Sequence, residues 1–163
     1  MGKIEGISIN NYGSLKEVVL GRTFSHQIPA PLTNMTTIIG ASGNGKSTIA
    51  DVFGFIADCL EYDVETACDK GYRGGFEKIR SQGSTEPIRF EIYYRESSNT
   101  RPITYELAID LDVNGRPYVK EERLRQRVER RGWPKSFLYL QNGCGFAFEG
   151  NFGGQDDTTG NFD

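Results

Sequence analysis

Alternating apolar and polar residues dominate this chain and predict a β-rich fold. Period-two alternation indicates strands wherever side chains point in turn to a buried and an exposed face. Asn114-Gly115 predicts a hairpin turn between two of these strands, and Asn142-Gly143 indicates another turn. The strands predicted for the sheet cover residues 3–10, 16–20, 88–94, 103–111, 118–125 and 137–140.

A different pattern interrupts the alternation between the second and third of these strands. Residues 35–39 are a short β-prone run, which predicts a buried strand, and residues 47–60 have the period of a helix. Residues 64–83 are predicted to form helix and loop, because they carry four glycines. The apolar residues expected along one side of the first helix are Ile49, Val52, Phe53, Ile56, Cys59 and Leu60.

The segment that joins this strand to this helix is a complete P-loop. It fits the pattern G-x-x-x-x-G-K-[ST] at every fixed position. Glycines let successive backbone N–H groups point into one concavity, which binds phosphate oxygens at the positive end of the helix. We therefore expect the chain to bind a nucleoside triphosphate. The residues expected to contact its phosphates are Gly40, Ala41, Ser42, Gly43, Asn44, Gly45, Lys46, Ser47 and Thr48.

Two of these residues carry the chemistry. Lys46 is expected to reach the β- and γ-phosphates, which makes it the candidate catalytic residue. The Ser47 hydroxyl is expected to complete the shell of a Mg²⁺ ion and is the candidate metal ligand. Hydrolysis also needs an acid at the end of a second buried strand. Asp110 has approximately this position, but the alternation around it favours a half-buried antiparallel strand instead.

Length and composition indicate one domain with a sizeable core. The chain has 163 residues; we expect residues 1–149 to form the nucleotide-binding lobe and the polar, glycine-rich residues 150–163 to be a poorly ordered tail. Three cysteines without a C-x-x-C pair are typical of reduced thiols in a cytoplasmic protein. No segment has the apolar length of a membrane span, so we expect no membrane partner.

The net charge of −3 argues against a surface that coats nucleic acid, but one short cluster is basic. Residues 123–131 carry five arginines, followed by Trp133 and Lys135. Such a run could bind a phosphate backbone, so a non-catalytic DNA-clamping or nucleotide-binding module is an alternative function. A solvated strand end with partly balanced charge is the interpretation we favour. A small-molecule P-loop kinase is a third alternative, although no lid or acceptor site is evident.

A family resemblance rests on the order of elements and on residues 9–18, 37–40, 49–56 and 74–80. These features resemble the N-terminal lobe of ABC-type ATPases, and within them the SMC/RecF-like branch of AAA-family predicted ATPases. A β-hairpin precedes the P-loop, and one helix and an antiparallel meander follow it. The resemblance implies an α/β, P-loop NTPase fold with ATP and Mg²⁺ as cofactors.

Two departures from that family change the expected activity. Gly13 stands where the family has a basic residue, so its phosphate contact is not carried over. No LSGGQ-like signature, Walker B strand or switch histidine is present in the sequence. Gln141 could be the family's magnesium-contacting glutamine, but its position beside Asn142-Gly143 favours a turn residue. We therefore expect an incomplete nucleotide-binding domain, the front half of a larger ATPase.

The resemblance also implies a mechanism in which ATP drives two nucleotide-binding domains together. Each ATP would be held by one P-loop and closed over by the signature motif of a homodimer partner or a second ATPase lobe. The chain alone is then expected to bind Mg-ATP with little or no turnover. ATP is favoured over GTP because no guanine-reading Asn/Thr-Lys-x-Asp motif is present.

Overall fold

The structure is a computed structural model that describes residues 2–126 and 134–147. Seven strands form one sheet in the order β2-β1-β3-β4-β5-β6-β7, and every neighbouring pair is antiparallel. The strands are β1 (Lys3–Tyr12), β2 (Leu15–Gly21), β3 (Ile88–Arg95), β4 (Ile103–Leu111), β5 (Pro117–Gln126), β6 (Lys135–Gln141) and β7 (Cys144–Ala147). The helices are α1 (Lys46–Glu61), α2 (Val64–Asp69) and α3 (Phe76–Ile79).

One face of the sheet is apolar and is covered by the helices. Alternate residues of β1, β3 and β4 point to this face, as the period of two predicts. At its centre the rings of Tyr12, Phe55 and Phe90 contact one another, with centroids 5.3 to 5.9 Å apart. Tilted aromatic packing of this kind stabilises a core beyond the area that it buries. The α1 residues buried against this face are Ile49, Val52, Phe55 and Ile56.

The opposite face of the sheet is polar and charged, and a loop covers part of it. The loop between β2 and α1 crosses this face at residues 22–26, where the Ser25 amide donates to the Glu91 carboxylate at 2.9 Å. The Arg125 guanidinium lies 3.8 Å from the centroid of the Phe24 ring. Because the sheet carries charge on one face and apolar side chains on the other, the core that the described residues form lies between the sheet and the helices.

The six strands predicted for the sheet are all confirmed, and so is the helix predicted over residues 47–60. The turn predicted at Asn142-Gly143 is confirmed, because both residues have positive φ (53° and 82°). Strand β7 follows that turn and was not predicted, because four residues that include a glycine show too little alternation. The glycine-rich tail, residues 150–163, lies outside the described residues.

The prediction of a buried strand over residues 35–39 is wrong. This run forms no strand, and the side chain of Ile39 is 90% exposed. A strand is stable only where a neighbour satisfies its backbone N–H and C=O groups, and all seven strands of the described residues pair within the antiparallel sheet. The apolar composition of the run was read correctly, but its side chains are exposed and not buried as predicted.

Candidate functional site

The P-loop forms a compact turn between the exposed residues 35–39 and α1. The ammonium of Lys46 donates hydrogen bonds to the carbonyl oxygens of Gly40 at 2.7 Å and Ala41 at 2.5 Å. The Asn44 amide donates to the same Ala41 carbonyl at 3.4 Å. Lys46 therefore closes the loop on itself, because its ammonium contacts the carbonyls of the first two residues of the motif.

Two glycines give the loop its curvature, for different reasons. Gly43 and Gly45 have φ values of 84° and 80°, in the left-handed region that side chains with a Cβ rarely adopt. A Cβ at Gly45 would also lie 2.7 Å from Cδ2 of Leu15, whereas a Cβ at Gly43 would meet nothing within 4 Å. Gly45 is thus required by conformation and by space, and Gly43 by conformation alone.

The loop leads directly into the N-terminus of α1, which is suited to bind an anion. Gly45 is the N-cap residue and has no side chain to accept a hydrogen bond from the first turn. The first turn carries no acidic residue either, and Ser47 is exposed there. The backbone N–H groups and the positive end of the helix dipole are therefore open to a phosphate, while Lys46 adds a full positive charge.

The turn between β1 and β2 (residues 12–15, here called the hairpin turn) packs against this helix start. The hydroxyls of Ser14 and Thr48 lie 3.4 Å apart. A Cβ at Gly13, whose φ is 57°, would lie 2.9 Å from the Thr48 methyl group. Glycine at position 13 therefore permits the close approach of the hairpin turn to α1, whereas the SMC/RecF-like ATPases that the sequence resembles have a basic residue there.

Helix α1 has apolar side chains on two faces, which corrects the predicted apolar side. Phe55, which was not assigned to that side, is fully buried against the sheet. Phe53 and Leu60 were expected to be buried but are 38% and 64% exposed. The sheet covers only one face of the helix, and the exposed face carries Ala50, Phe53, Gly54, Ala57 and Leu60.

The two candidate magnesium contacts from the meander occupy ordinary strand positions. Asp110 lies on the antiparallel strand β4 and pairs with Lys120 at 2.7 Å. Burial by itself would raise the pKa of Asp110, but the hydrogen bonds from Lys120 and from the Leu111 amide outweigh it and hold the pKa below its usual range. Gln141 ends β6 beside the turn at residues 142–143. Both positions agree with the structural interpretations that the sequence favoured.

The basic run is described only in part. The guanidinium of Arg123 lies 4.5 Å from the centroid of the Tyr139 ring. Arg125 pairs with Glu106 at 2.5 Å and stacks on Phe24. These two arginines already have partners within the sheet, and residues 127–133 lie outside the described residues. DNA binding by this run stays a prediction.

One cluster beside the P-loop was missed by the sequence analysis. Asp51, on α1, accepts hydrogen bonds from the hydroxyls of Tyr12 at 2.5 Å and Tyr72 at 2.7 Å. It also accepts from Arg73, whose Nη2 lies 2.9 Å from the carboxylate. The only available signal was an acid at position 51, next to apolar residues of the predicted helix, and it does not identify partners far along the chain.

The cysteines do not form a metal or disulfide site in the part of the chain that the structure describes. Cys59, Cys68 and Cys144 are free thiols. Burial raises the pKa of Cys59 and Cys68 to about 12, so both stay protonated and unreactive near neutral pH. Among residues 2–126 and 134–147, no group of three or more His, Cys, Asp or Glu side chains could hold a metal ion.

An α/β fold with a glycine loop that enters the N-terminus of a helix is typical of nucleotide-binding P-loop proteins. The chain belongs to the family described as "AAA domain, putative AbiEii toxin, Type IV TA system", which matches residues 35–159. Membership of this AAA family implies nucleotide binding. No curated protein and no solved structure matches the chain. The described residues contain no helix that is both long and apolar enough to cross a membrane.

Proposed function

We propose that this chain binds Mg-ATP through its P-loop as one lobe of an SMC/RecF-like, ABC-type ATPase of the cytoplasm. The observation that carries the proposal is the loop of residues 40–45, curled by two left-handed glycines and closed by Lys46. It presents an uncapped helix N-terminus and a lysine ammonium at one place. Phosphate oxygens are the ligands that this combination favours.

In the proposed complex, the backbone of the loop, Lys46 and Ser47 have separate roles. The N–H groups of Gly43, Gly45 and the first turn of α1 bind phosphate oxygens. Lys46 exchanges its two carbonyl partners for the β- and γ-phosphates and neutralises their charge. The exposed Ser47 hydroxyl would ligate Mg²⁺, which would supply further positive charge to the bound phosphates.

We further propose that efficient hydrolysis requires a second lobe, supplied by a homodimer partner or by another ATPase segment. Two exposed apolar surfaces flank the P-loop and support this. One is the run of residues 35–39, which includes Ile38 and Ile39, and the other is the outer face of α1, which includes Phe53 and Leu60. A lobe that adds a strand beside the first surface and packs on the second would bury both.

Titration of the purified chain with Mg-ATP in a calorimeter tests the binding proposal. We expect saturable binding to the unchanged chain and at least tenfold weaker binding to Lys46→Ala, because a charge-assisted contact to phosphate is lost. Lys78→Ala is the matched control, since Lys78 is an exposed lysine of α3 outside the P-loop.

Binding that is equal in all three proteins would contradict the proposal, because the nucleotide would then lie elsewhere. Absence of any binding to a folded chain would contradict it as well. A parallel titration without Mg²⁺ is expected to show weaker binding, and Ser47→Ala is expected to reduce that difference, since Ser47 is the proposed metal ligand.

A further inference from the structure

A buried ionic cluster joins three elements next to the P-loop. Its centre is Asp51, which lies on α1 one turn beyond the P-loop serine. One carboxylate oxygen accepts from Tyr12, at the end of β1. The other accepts from Tyr72 and Arg73, which belong to the loop between α2 and α3 (residues 70–75, here called the glycine segment). One side chain therefore contacts β1 and the glycine segment at once.

The Arg73 guanidinium is bound by two carboxylates and one backbone carbonyl within this cluster. Its side chain is only 7% exposed and pairs with Asp51 at 2.9 Å and with Asp58 at 2.6 Å. It also donates to the carbonyl of Ala67 at 3.1 Å. The helix provides the space, because a Cβ at Gly54 would lie 3.3 Å from Nη2 of Arg73.

The glycine segment is shaped to deliver this arginine. Gly71, Gly74 and Gly75 all have positive φ values, between 64° and 102°, which side chains with a Cβ rarely adopt. The amide of Gly75 donates to the carbonyl of Cys68 at 3.0 Å, which turns the chain back towards α2. The turn that these glycines permit brings the side chains of Tyr72 and Arg73 into contact with Asp51 of α1.

A role in stability alone does not account for such a cluster. A buried ion pair contributes little net stability, since removing its charges from water costs about as much as their attraction returns. Apolar side chains of the same volume would fill the space as well. What the ion pairs do provide is a fixed geometry, because hydrogen bonds between charged groups are directional.

Asp51 fixes the position of the hairpin turn relative to α1, and the P-loop packs against this turn. Tyr12 begins the hairpin turn, whose following residues contact the P-loop through Leu15 against Gly45 and through Ser14 against Thr48. The hydrogen bond from Tyr12 to Asp51 lies one helical turn further along α1. Together these contacts determine how α1 is rotated relative to the hairpin turn.

We infer that Asp51 is a positioning residue for nucleotide binding, which holds the hairpin turn against the P-loop through Tyr12 while Tyr72 and Arg73 fix the orientation of its carboxylate. This inference rests on the proposed binding of Mg-ATP at the P-loop. It assigns to the glycine segment a part in that binding, although none of its residues belongs to the P-loop motif.

Asp58 offers a matched control on the same helix. Asp51→Asn and Asp58→Asn each remove one carboxylate partner of Arg73, but only Asp51 contacts Tyr12 and Tyr72. We expect Asp51→Asn to weaken Mg-ATP binding about tenfold, a typical coupling between linked sites, and Asp58→Asn to change it less than twofold. Both are measured by calorimetric titration at a temperature where urea unfolding shows each protein fully folded.

A second readout does not need the nucleotide. The Gly13 amide in the hairpin turn donates to the carbonyl of Ile79 at 2.6 Å, so its hydrogen exchange reports opening of the turn. We expect this exchange to be at least tenfold faster in Asp51→Asn than in Asp58→Asn. If the unchanged chain does not bind Mg-ATP, the proposed function fails, and the exchange rates still decide whether Asp51 holds the turn.

Tyr72→Phe keeps the comparison possible if Asp51→Asn does not fold. It removes one hydroxyl from a side chain that is largely exposed, and we expect two- to threefold weaker Mg-ATP binding with an unchanged unfolding midpoint. Equal affinities and equal Gly13 exchange in Asp51→Asn and Asp58→Asn would overturn the inference. If only Tyr72→Phe and Asp58→Asn fold, identical affinities of these two proteins for Mg-ATP would overturn the inference.

Discussion

The P-loop lies between two regions that are held in opposite ways. On one side, the hairpin turn is tied to the rest of the fold: the Gly13 amide donates to Ile79, and the Ser81 hydroxyl donates to the Gly13 carbonyl at 2.9 Å. On the other side, the hydrogen bonds described for residues 33–44 stay within that segment or reach Lys46. The P-loop is therefore anchored at its helix end and through the hairpin turn, and not by residues 33–39, which precede it.

The largest difference is expected between the two faces of α1. Phe55 is fully buried in the aromatic cluster, whereas Phe53 is on the exposed face. Phe55→Ala should lower the free energy of unfolding by about 3–5 kcal/mol, because it leaves a cavity in the core. Phe53→Ala, with the same change in side chain, should lower it by about 1 kcal/mol or less. Urea unfolding followed by circular dichroism measures both, and equal losses would contradict the described burial.

The two loop glycines separate the anchored end of the P-loop from its free end. Gly45→Ala should lower the free energy of unfolding by about 2–4 kcal/mol, since it adds backbone strain and a collision with Leu15. Gly43→Ala has a similar φ but open space around it, so about 1 kcal/mol is expected from strain alone. Thermal unfolding of the two variants makes the comparison. A larger loss for Gly43→Ala would show that the hairpin turn does not anchor the loop.

Acid should weaken the anchored side through Asp51. Burial alone would raise the pKa of this carboxyl, but the hydrogen bonds from Arg73, Tyr12 and Tyr72 outweigh it and hold the pKa below its usual range. The stabilisation is therefore complete above the unfolded pKa of about 3.9 and is lost as the pH falls through the lower folded value. Urea unfolding from pH 7 to pH 3 should show a smaller acid loss in Asp51→Asn than in the unchanged chain. Identical profiles would mean that Asp51 does not titrate in this way.

The smallest effect is expected on the exposed side. Ile39 is largely in solvent, so Ile39→Ser should change the free energy of unfolding by less than about 0.5 kcal/mol. Ile9→Ser is the matched core substitution in β1 and should cost several times more, because it buries a hydroxyl in an apolar core. A loss at Ile39 comparable to that at Ile9 would place residues 35–39 in the core after all.

The sequence was a good guide wherever local pattern determines structure. Strand β4 alternates because one face meets the helices and the other meets polar side chains, and its predicted bounds are the observed ones. The P-loop could be identified because its chemistry needs glycine and lysine at fixed spacing. The helix that follows the P-loop was predicted from the helical spacing of its apolar residues, and α1 has nearly the predicted bounds.

Pattern could not show which apolar residues have a partner. Residues 35–39 and Phe53 have the composition of a core, yet the structure leaves them exposed, because composition does not determine which surfaces meet. The contacts of Asp51 were equally hidden. Arg73 and Tyr12 lie 22 and 39 residues away, and only the folded chain brings them to one carboxylate.

Turnover of Mg-ATP by the purified chain at high protein concentration, with Lys46→Ala beside it, tests the central claim most directly. The account predicts a folded chain that binds Mg-ATP and releases no phosphate above the level of Lys46→Ala, because a second lobe must complete the catalytic site. Phosphate release that disappears in Lys46→Ala would contradict it and would show that the catalytic acid is already present in this chain, with Asp110 the first residue to replace.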